Sequence, residues 1–320
     1  MRSRYIIGLD MGGTNIRTAA VSPQGKVMML RHAASNADSP ASVVAENIAA
    51  QVCTLEHDAR GRGWGTPRAI GIAVPGPLNV FTGTVMAAPH VAAWRAFPLK
   101  KRLEAALGRR VVVENDANAW ALGEFWRGAA RGRRNVVLLT LGTGVGGGLI
   151  VGGKIVHGLS GMAGELGHVT VEPDGALCDC GAHGCLETYA SSSGMREIIA
   201  RRLGRRVPAR YLDQQGNFSV RRLTVAAAAG DRIALETFQL AGRYLGIAIS
   251  SFLNIFNPEL VVLGGGVAGA LKFMRRTMDV EVKARAFSAV AAEARVVRAA
   301  LGPTGGVVGA AYAAIHPTET

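Results

Sequence analysis

Apolar and polar residues change places in short blocks at the start of the chain. An apolar run covers 5–9, alternation covers 16–21, and a third block covers 26–31. A glycine-rich turn at 11–15 and the turn residues Pro23-Gln24-Gly25 separate them, which predicts three strands. Helical spacing follows over 40–60 behind Ser39-Pro40, then a buried strand over 68–74 that stops at Pro75-Gly76-Pro77. Further on, the pattern predicts a helix over 99–107, a short strand over 111–114 and a helix over 117–125. A second strand-rich unit then opens, with strands at 136–141 and 149–151 around a glycine turn at 142–148. Helices are expected at 188–203, 224–229, 231–254 and 269–285, with strands at 260–263 and 295–298, and 204–222 reads as a polar surface excursion. A strand–glycine turn–strand unit thus occurs twice, at 5–21 and 136–151. Two lobes that each open this way leave a cleft between them, a common address for a ligand.

Composition narrows the function classes. The 320 residues suffice for two lobes, and 49% hydrophobic content supplies a sizeable core. No apolar run is long enough to span a bilayer, and the basic Met1-Arg2-Ser3-Arg4 leads into an apolar stretch that soon meets Asp10. Export and membrane association are not expected, and the expected compartment is the cytoplasm. The net charge of +13 raises nucleic acid as a partner. The arginines are spread along the chain, with runs at 131–134 and 201–206, and no aromatic platform accompanies them. The charge therefore reads as a solvated surface that also attracts anionic substrates.

Three glycine turns carry the first chemistry. In Asp10-Met11-Gly12-Gly13-Thr14-Asn15, glycines let backbone N–H groups converge on an anion. Thr14 and Asn15 add side-chain donors, and Asp10 is suited to hold nucleotide-borne Mg²⁺ through water. An ordinary hairpin reads the same way. The second turn includes Gly142, Thr143 and Gly144, and the third includes Gly264, Gly265 and Gly266. Both match G-x-G-x-x-G, but the first match precedes a strand and the second lacks a clear βαβ frame. Three separated turns suit one nucleotide, with two hairpins gripping phosphates and the third admitting a purine.

Acids and cysteines carry the rest. Asp116 ends a strand and opens a helix, so it is either an N-cap or a base facing the cleft, and Asn115 beside it can fix a neighbouring hydroxyl. His168, Cys178, Cys180 and Cys185 give His-x9-Cys-x-Cys-x4-Cys, a set that suits closed, structural Zn²⁺. His183 is the rival fourth ligand, disfavoured by its place inside the tight loop between Cys180 and Cys185. Cys53 stands apart. Glu165 and Glu187 flank the proposed ligands, so a metal there holds two carboxylates for a polyol.

These stretches together resemble the ROK family of repressors and sugar kinases, within the actin-like ATPase superfamily. The resemblance rests on the turn at Asp10–Asn15, on Glu114-Asn115-Asp116-Ala117-Asn118, on the turn at 141–148, on Gly164-Glu165-Leu166-Gly167-His168 and on the cysteine stretch through Glu187. The continuation at 186–191 looks most like bacterial glucokinases. It implies an α/β, two-lobed, ribonuclease H-like fold that closes on substrate. The small lobe would span 1–116, completed by a C-terminal helix at 303–320, and the large lobe 117–302. It implies an ATP-dependent hexokinase acting on O6 of glucose, with Asp116 as base, and with Asn115, Asp116, Glu165, His168 and Glu187 on the sugar. Partners are then a sugar and Mg-ATP, with a homodimer or dimer of dimers expected and no nucleic acid. Mannose, fructose, allose or an N-acetylhexosamine remain open as acceptors, and polyphosphate as donor. Family repressors carry a helix-turn-helix ahead of the first glycine turn. Here that turn starts at Asp10, which favours a kinase over a regulator.

Overall fold

The computed structural model describes residues 5–87, 94–204 and 206–317. Strands β1 (Ile6–Met11), β2 (Asn15–Val21) and β3 (Val27–Ala34) run antiparallel in succession. Helix α1 (Ala41–Gly61) then crosses to β4 (Ile70–Val74), which lies parallel to β1. Three short strands, β5 (Leu78–Asn79), β6 (Thr84–Ala87) and β7 (Arg95–Phe97), make a separate small sheet. Helix α2 (Leu99–Leu107) leads to β8 (Val112–Asn115), parallel to β4. The first sheet is therefore ordered β3-β2-β1-β4-β8.

The second half repeats this plan. Helix α3 (Asp116–Arg127) precedes β9 (Val136–Leu141), β10 (Val145–Val151) and β11 (Lys154–Ile155), again successive antiparallel neighbours. Helices α4 (Glu187–Ala190), α5 (Ser192–Arg202), α6 (Val220–Ala228) and α7 (Arg232–Phe256) come before β12 (Leu260–Gly264). Helices α8 (Leu271–Arg285) and α9 (Ser288–Glu293) precede β13 (Arg295–Arg298), and α10 (Gly305–Ile315) ends the described chain. The second sheet is ordered β11-β10-β9-β12-β13, with β12 parallel to both β9 and β13. No helix among the described residues is long and apolar enough to cross a membrane.

Strands β4 and β12 are buried at every position, as expected of parallel strands covered on both faces. One core packs Val44, Ile48 and Val52 of α1 against Leu9, Ile16 and Ile72 of the first sheet. A larger core sets Phe238, Leu245 and Phe252 of α7 against Met274 and Met278 of α8 and against Val137, Leu139 and Leu263 of the second sheet. Each such side chain contributes about 1.5–3 kcal/mol by leaving water.

Helix α10 joins the halves. It lies on β1 and β4 and against α3, at distances only glycine permits. A Cβ on Gly309 would stand 1.5 Å from the Ala119 carbonyl oxygen, and one on Gly123 would stand 2.2 Å from that of Gly305. Gly8 and Gly71 are equally tight, 1.9 Å from the Val307 and Ala310 carbonyl oxygens. Ala73, Ala119 and Ala310 fill the small space between. Near the far end of α3, the buried Glu124 carboxylate accepts from the N–H groups of Ala129, Ala300 and Leu301 at 2.7, 3.0 and 2.8 Å. That ties α3 to the segment leading into α10.

Several expectations need correction. The glycine turn expected over 142–148 closes within Gly142–Gly144, and the remaining glycines belong to β10. They are needed there because a Cβ on Gly146 or Gly148 would meet Ala117 or Ala121 of α3 at 2.8 or 2.6 Å. The helix expected over 188–203 breaks at Ser191, whose side chain caps α5. The excursion at 204–222 is not wholly superficial: Tyr211 is fully buried and bonds Asp231, and α6 already starts at Val220. Strands β5–β7 were not foreseen, being too short for periodicity to register. The C-terminal helix expected over 303–320 runs Gly305–Ile315, and 318–320 lie outside the described residues, as do 1–4.

Substituting Gly309→Ala should force α10 off α3 and lower stability by about 3 kcal/mol or more. Gly61→Ala, where a Cβ meets nothing within 4 Å, should be neutral or slightly stabilising. Chemical denaturation of both variants checks this, and equal midpoints would show that the helix contact tolerates a methyl group.

Candidate active site

Asp10 sits near the end of β1, 5% exposed, with its carboxyl against Gly306 in the first turn of α10. A helix N-terminus favours negative charge. Arg17, directly across the β1–β2 pair, approaches Asp10 Oδ2 at 3.7 Å. Burial nevertheless pushes the Asp10 carboxyl up to about 6, with Arg17 and a hydrogen bond from Trp120 pulling it back. The first glycine turn is closed by Gly12 N–H donating to the Asn15 carbonyl at 2.8 Å. Ser35 props it from behind, its hydroxyl donating to the Gly13 carbonyl at 2.8 Å. Gly13, Thr14 and Asn15 are left exposed, open to a ligand.

The second and third turns meet across β9 and β12. Gly142 N–H donates to the Gly144 carbonyl at 2.9 Å, and Ser193 Oγ donates to the Thr143 carbonyl at 2.7 Å. Gly265 holds φ +81° with its α-carbon against Leu141, and Gly264 packs on the Trp120 ring. Of the third-turn glycines expected to touch a nucleotide, only Gly266 faces the adjoining cavity. That cavity, about 400 Å³, is walled by Gly142, Gly266, Val267, Val220, Thr224 and Val225 among others. The α6 residues here were missed from sequence, since an amphipathic helix carries no signal for the face it lends to a ligand.

Asn115, not Asp116, caps α3. Its Oδ1 accepts from the N–H groups of Ala117 and Asn118 at 2.9 and 3.1 Å, and its Nδ2 donates to the Gly76 carbonyl at 3.3 Å. Asp116 becomes the first helical residue, half-buried, with Oδ1 accepting from Ala117 N–H at 2.8 Å. Burial drives its carboxyl up to about 7. The nearby Asp10 charge adds to the rise, the Ala117 N–H opposes it, and Glu165 adds a smaller push. One carboxyl thus senses acids from both sides, and it is poised to exchange a proton near neutrality.

The 3₁₀ turn Leu166–His168 and the cysteine loop close the other side. His168 Nδ1 lies 3.6 Å from Cys178 Sγ, and Cys180 Sγ lies 3.6 Å from Cys185 Sγ. All four ligand atoms fall within 4.8 Å of one another. A Zn–S bond of about 2.3 Å puts the corners of a tetrahedron about 3.8 Å apart, so the donor set fits. His183 is turned away, its Nδ1 on the Gly175 carbonyl at 3.1 Å, whereas His168 shares the cluster with the three cysteines. Burial, reinforced by the neighbouring thiols, pushes Cys185 up to about 12, a cost that a dication among the sulfurs reverses.

With Nδ1 turned to the cysteines, His168 Nε2 faces Glu165 Oε2 at 3.9 Å. Glu165 is exposed and otherwise open to hydroxyl donors. Partial desolvation by the surrounding loops raises its carboxyl, His168 pulls it down, and Glu187 pushes it up again. Glu187 is more committed. Its Oε2 accepts from Val145 N–H at 2.8 Å, and its Oε1 accepts from Cys178 Sγ at 3.8 Å. It braces the second turn against the cysteine loop.

The chain matches the ROK family over residues 6–316. It is 37% identical to the glucokinase of Halalkalibacterium halodurans, across 98% of this chain and 95% of that protein. Among solved structures, a ROK family glucokinase from Streptomyces griseus in complex with glucose and AMPPNP superposes with a TM-score of 0.82. It shares 34% identity over 98% of this chain and 99% of its own. The ROK hexokinase of Thermus thermophilus gives 0.80 at 33% identity, over 97% of both chains. The fold is the α/β, two-lobed actin-like ATPase fold, and the chain belongs to the ROK family.

Proposed function

We propose that the chain is an ATP-dependent glucokinase that transfers the γ-phosphate to O6 of glucose, giving glucose 6-phosphate. The observation that carries this reading is the position of Asp116. Its carboxyl is raised to about 7 between the acid of the first glycine turn and Glu165 of the zinc-type loop. We assign residues 1–116 with α10 to the small lobe and 117–302 to the large one, so that Asp116 lies at their junction.

Roles follow from chemistry. As O6 attacks the γ-phosphorus, its proton passes to Asp116. The new O6–P bond forms while the bond from phosphorus to the bridging oxygen breaks, and that electron pair leaves on ADP. Glu165, His168 Nε2 and Glu187 receive the sugar hydroxyls, while Asn115 fixes the helix end beside O6. Thr14, Asn15 and the backbone of Gly12, Gly13, Thr143 and Gly144 face the phosphates, and the cavity at Gly266 takes the base. Asp10 would orient the Mg²⁺ carried with ATP, which would offset phosphate charge. Zinc on His168, Cys178, Cys180 and Cys185 would lock the acceptor loop and supply no reaction chemistry of its own.

Asp116→Asn should lower kcat by about 10²–10⁴-fold while glucose still binds, as a coupled assay and a binding titration would measure. Near-normal turnover would remove Asp116 from the role of base. For the native protein, kcat/KM for glucose should climb with pH through about 7 as Asp116 ionises. Stability should move the opposite way. The folded state holds that proton up to about 7, whereas an unfolded Asp releases it near about 3.9, so ionisation costs stability as pH rises through this window. Asp116→Asn should flatten that loss, which thermal melts across pH would detect.

Cys180→Ser, or removal of zinc with a chelator, should raise the KM for glucose or loosen the fold without selectively abolishing the chemical step. Metal analysis with kinetics decides, and a metal-free protein of full activity would refute the structural-zinc assignment.

A further inference from the structure

Glu114 and His157 form a buried pair that the phosphotransfer scheme leaves unused. Their side chains are each 4% exposed, and His157 Nε2 lies 2.9 Å from Glu114 Oε2. The other carboxylate oxygen accepts from Asn115 N–H at 2.9 Å and from Asn118 Nδ2 at 3.0 Å. Glu114 is thereby bonded to residues on both sides of Asp116. The second ring nitrogen of His157, Nδ1, is buried with no partner. The ring's hydrogen bonding is thus directed at Glu114, which fixes Nε2 as the donor.

His157 also begins the segment that carries Glu165. The Ala163 N–H donates to the His157 carbonyl at 3.0 Å and closes the intervening loop, which turns on Gly158 and Gly161 at φ +68° and +77°. Gly164 follows at φ +100°, then Glu165 and the 3₁₀ turn ending in His168. The segment 157–168 is therefore held at two ends. His168 ties its far end to the cysteines, and His157 ties its near end to the strand that delivers Asp116. The small sheet presses on the same anchor. Phe81 stands edge-on to the His157 ring at 6.1 Å, and a Cβ on Gly161 would meet Val80 N at 2.7 Å.

Glu165 is set relative to the large lobe by the cysteine cluster and by β10, against which Gly164 and Gly167 pack so closely that a Cβ would stand 3.1 Å from the Gly147 carbonyl oxygen and 1.9 Å from that of Val145. Among the described residues, the side-chain hydrogen bonds of the three cysteines stay within 168–187 and do not reach β8. The Glu114–His157 bond ties this segment to β8, and through the same carboxylate to Asn115 and Asn118 on either side of Asp116. We infer that His157 and Glu114 are positioning residues that fix the spacing between the base and the acceptor carboxylate, and so set sugar affinity independently of the metal. This rests on the kinase reading given above.

The test compares His157→Gln, whose amide reaches Glu114, with His157→Asn, which stops short of it, and with His157→Leu. In a coupled assay on the full chain, Asn and Leu should raise the KM for glucose about tenfold or more, and leave the KM for ATP within about twofold. Gln should recover most of the loss. Zinc content should match the native protein in all three. If Leu fails to fold, the Asn and Gln pair carries the comparison. The inference is overturned if both KM values shift together, if neither moves, or if Gln is as impaired as Asn. A native protein that phosphorylates no hexose would instead sink the kinase reading, while an active native protein with indifferent variants would sink only this inference.

Discussion

Everything at the cleft depends on how closely α10 approaches α3, β1 and β4. Bare glycine at positions 8, 71, 123 and 309 lets backbone touch backbone, and a methyl group at any of them would overlap a carbonyl oxygen. Because α10 sits this low, its first turn meets Asp10 at the end of β1, and α3 is drawn to the same level. The carboxylates of Asp10, near the end of β1, and of Asp116, at the start of α3, then lie close enough for the Asp10 charge to be felt at Asp116. Looser helix packing would separate them, and Asp116 would lose the neighbour that helps lift its proton affinity. Backbone packing far from any ligand thus sets the electrostatics of the site.

That electrostatics runs against the protein as a whole. A chain with net charge +13 gathers Asp10, Asp116, Glu165 and Glu187 around one cleft. Over distances beyond a Debye length of about 8 Å the basic surface favours polyanionic nucleotides only weakly. Inside the cleft the acids dominate, and they oppose a bare polyphosphate. A divalent cation travelling with the phosphates resolves the conflict, and backbone N–H groups, carrying no net charge, are a suitable cradle beside so many carboxylates. The helix end behind Asp10 and the guanidinium of Arg17 offset part of the same repulsion within the protein.

The sequence made some of this visible, for identifiable reasons. Covered parallel strands such as β4 and β12 are written as unbroken apolar runs, and the glycine-rich turn after β1 marks the hairpin to β2. The cysteine set was legible because ligand spacing is local, and the structure brings His168, Cys178, Cys180 and Cys185 within 4.8 Å of one another. What stayed hidden is relational. Gly146 and Gly148 looked like turn residues, although their need for glycine comes from α3 pressing on the strand. Asp116 could be read as a cap because a single chain position does not say which of two adjacent polar residues turns back on the helix. Asn115 takes that role and releases its neighbour. His157 carried no signal at all, being one histidine in a loop whose partner lies 43 positions away.

The difference between the two substrate sides follows from the same physics. On the proposed reading phosphates are recognised chiefly by backbone N–H groups, so the donor side is built from short glycine turns that show in the local sequence. A hexose is recognised by hydroxyls in fixed directions, and only side chains held at fixed spacing can match them. Glu165 is itself exposed, but Leu166 and Gly167 after it are buried against β10, so its position is imposed by that packing together with the two ends of its segment. The cysteine cluster imposes it on one side and the Glu114–His157 bond on the other. On the proposed reading, acceptor recognition is in this sense a property of the anchors more than of the carboxylate, and a change of sugar preference would require moving an anchor as readily as replacing the carboxylate itself.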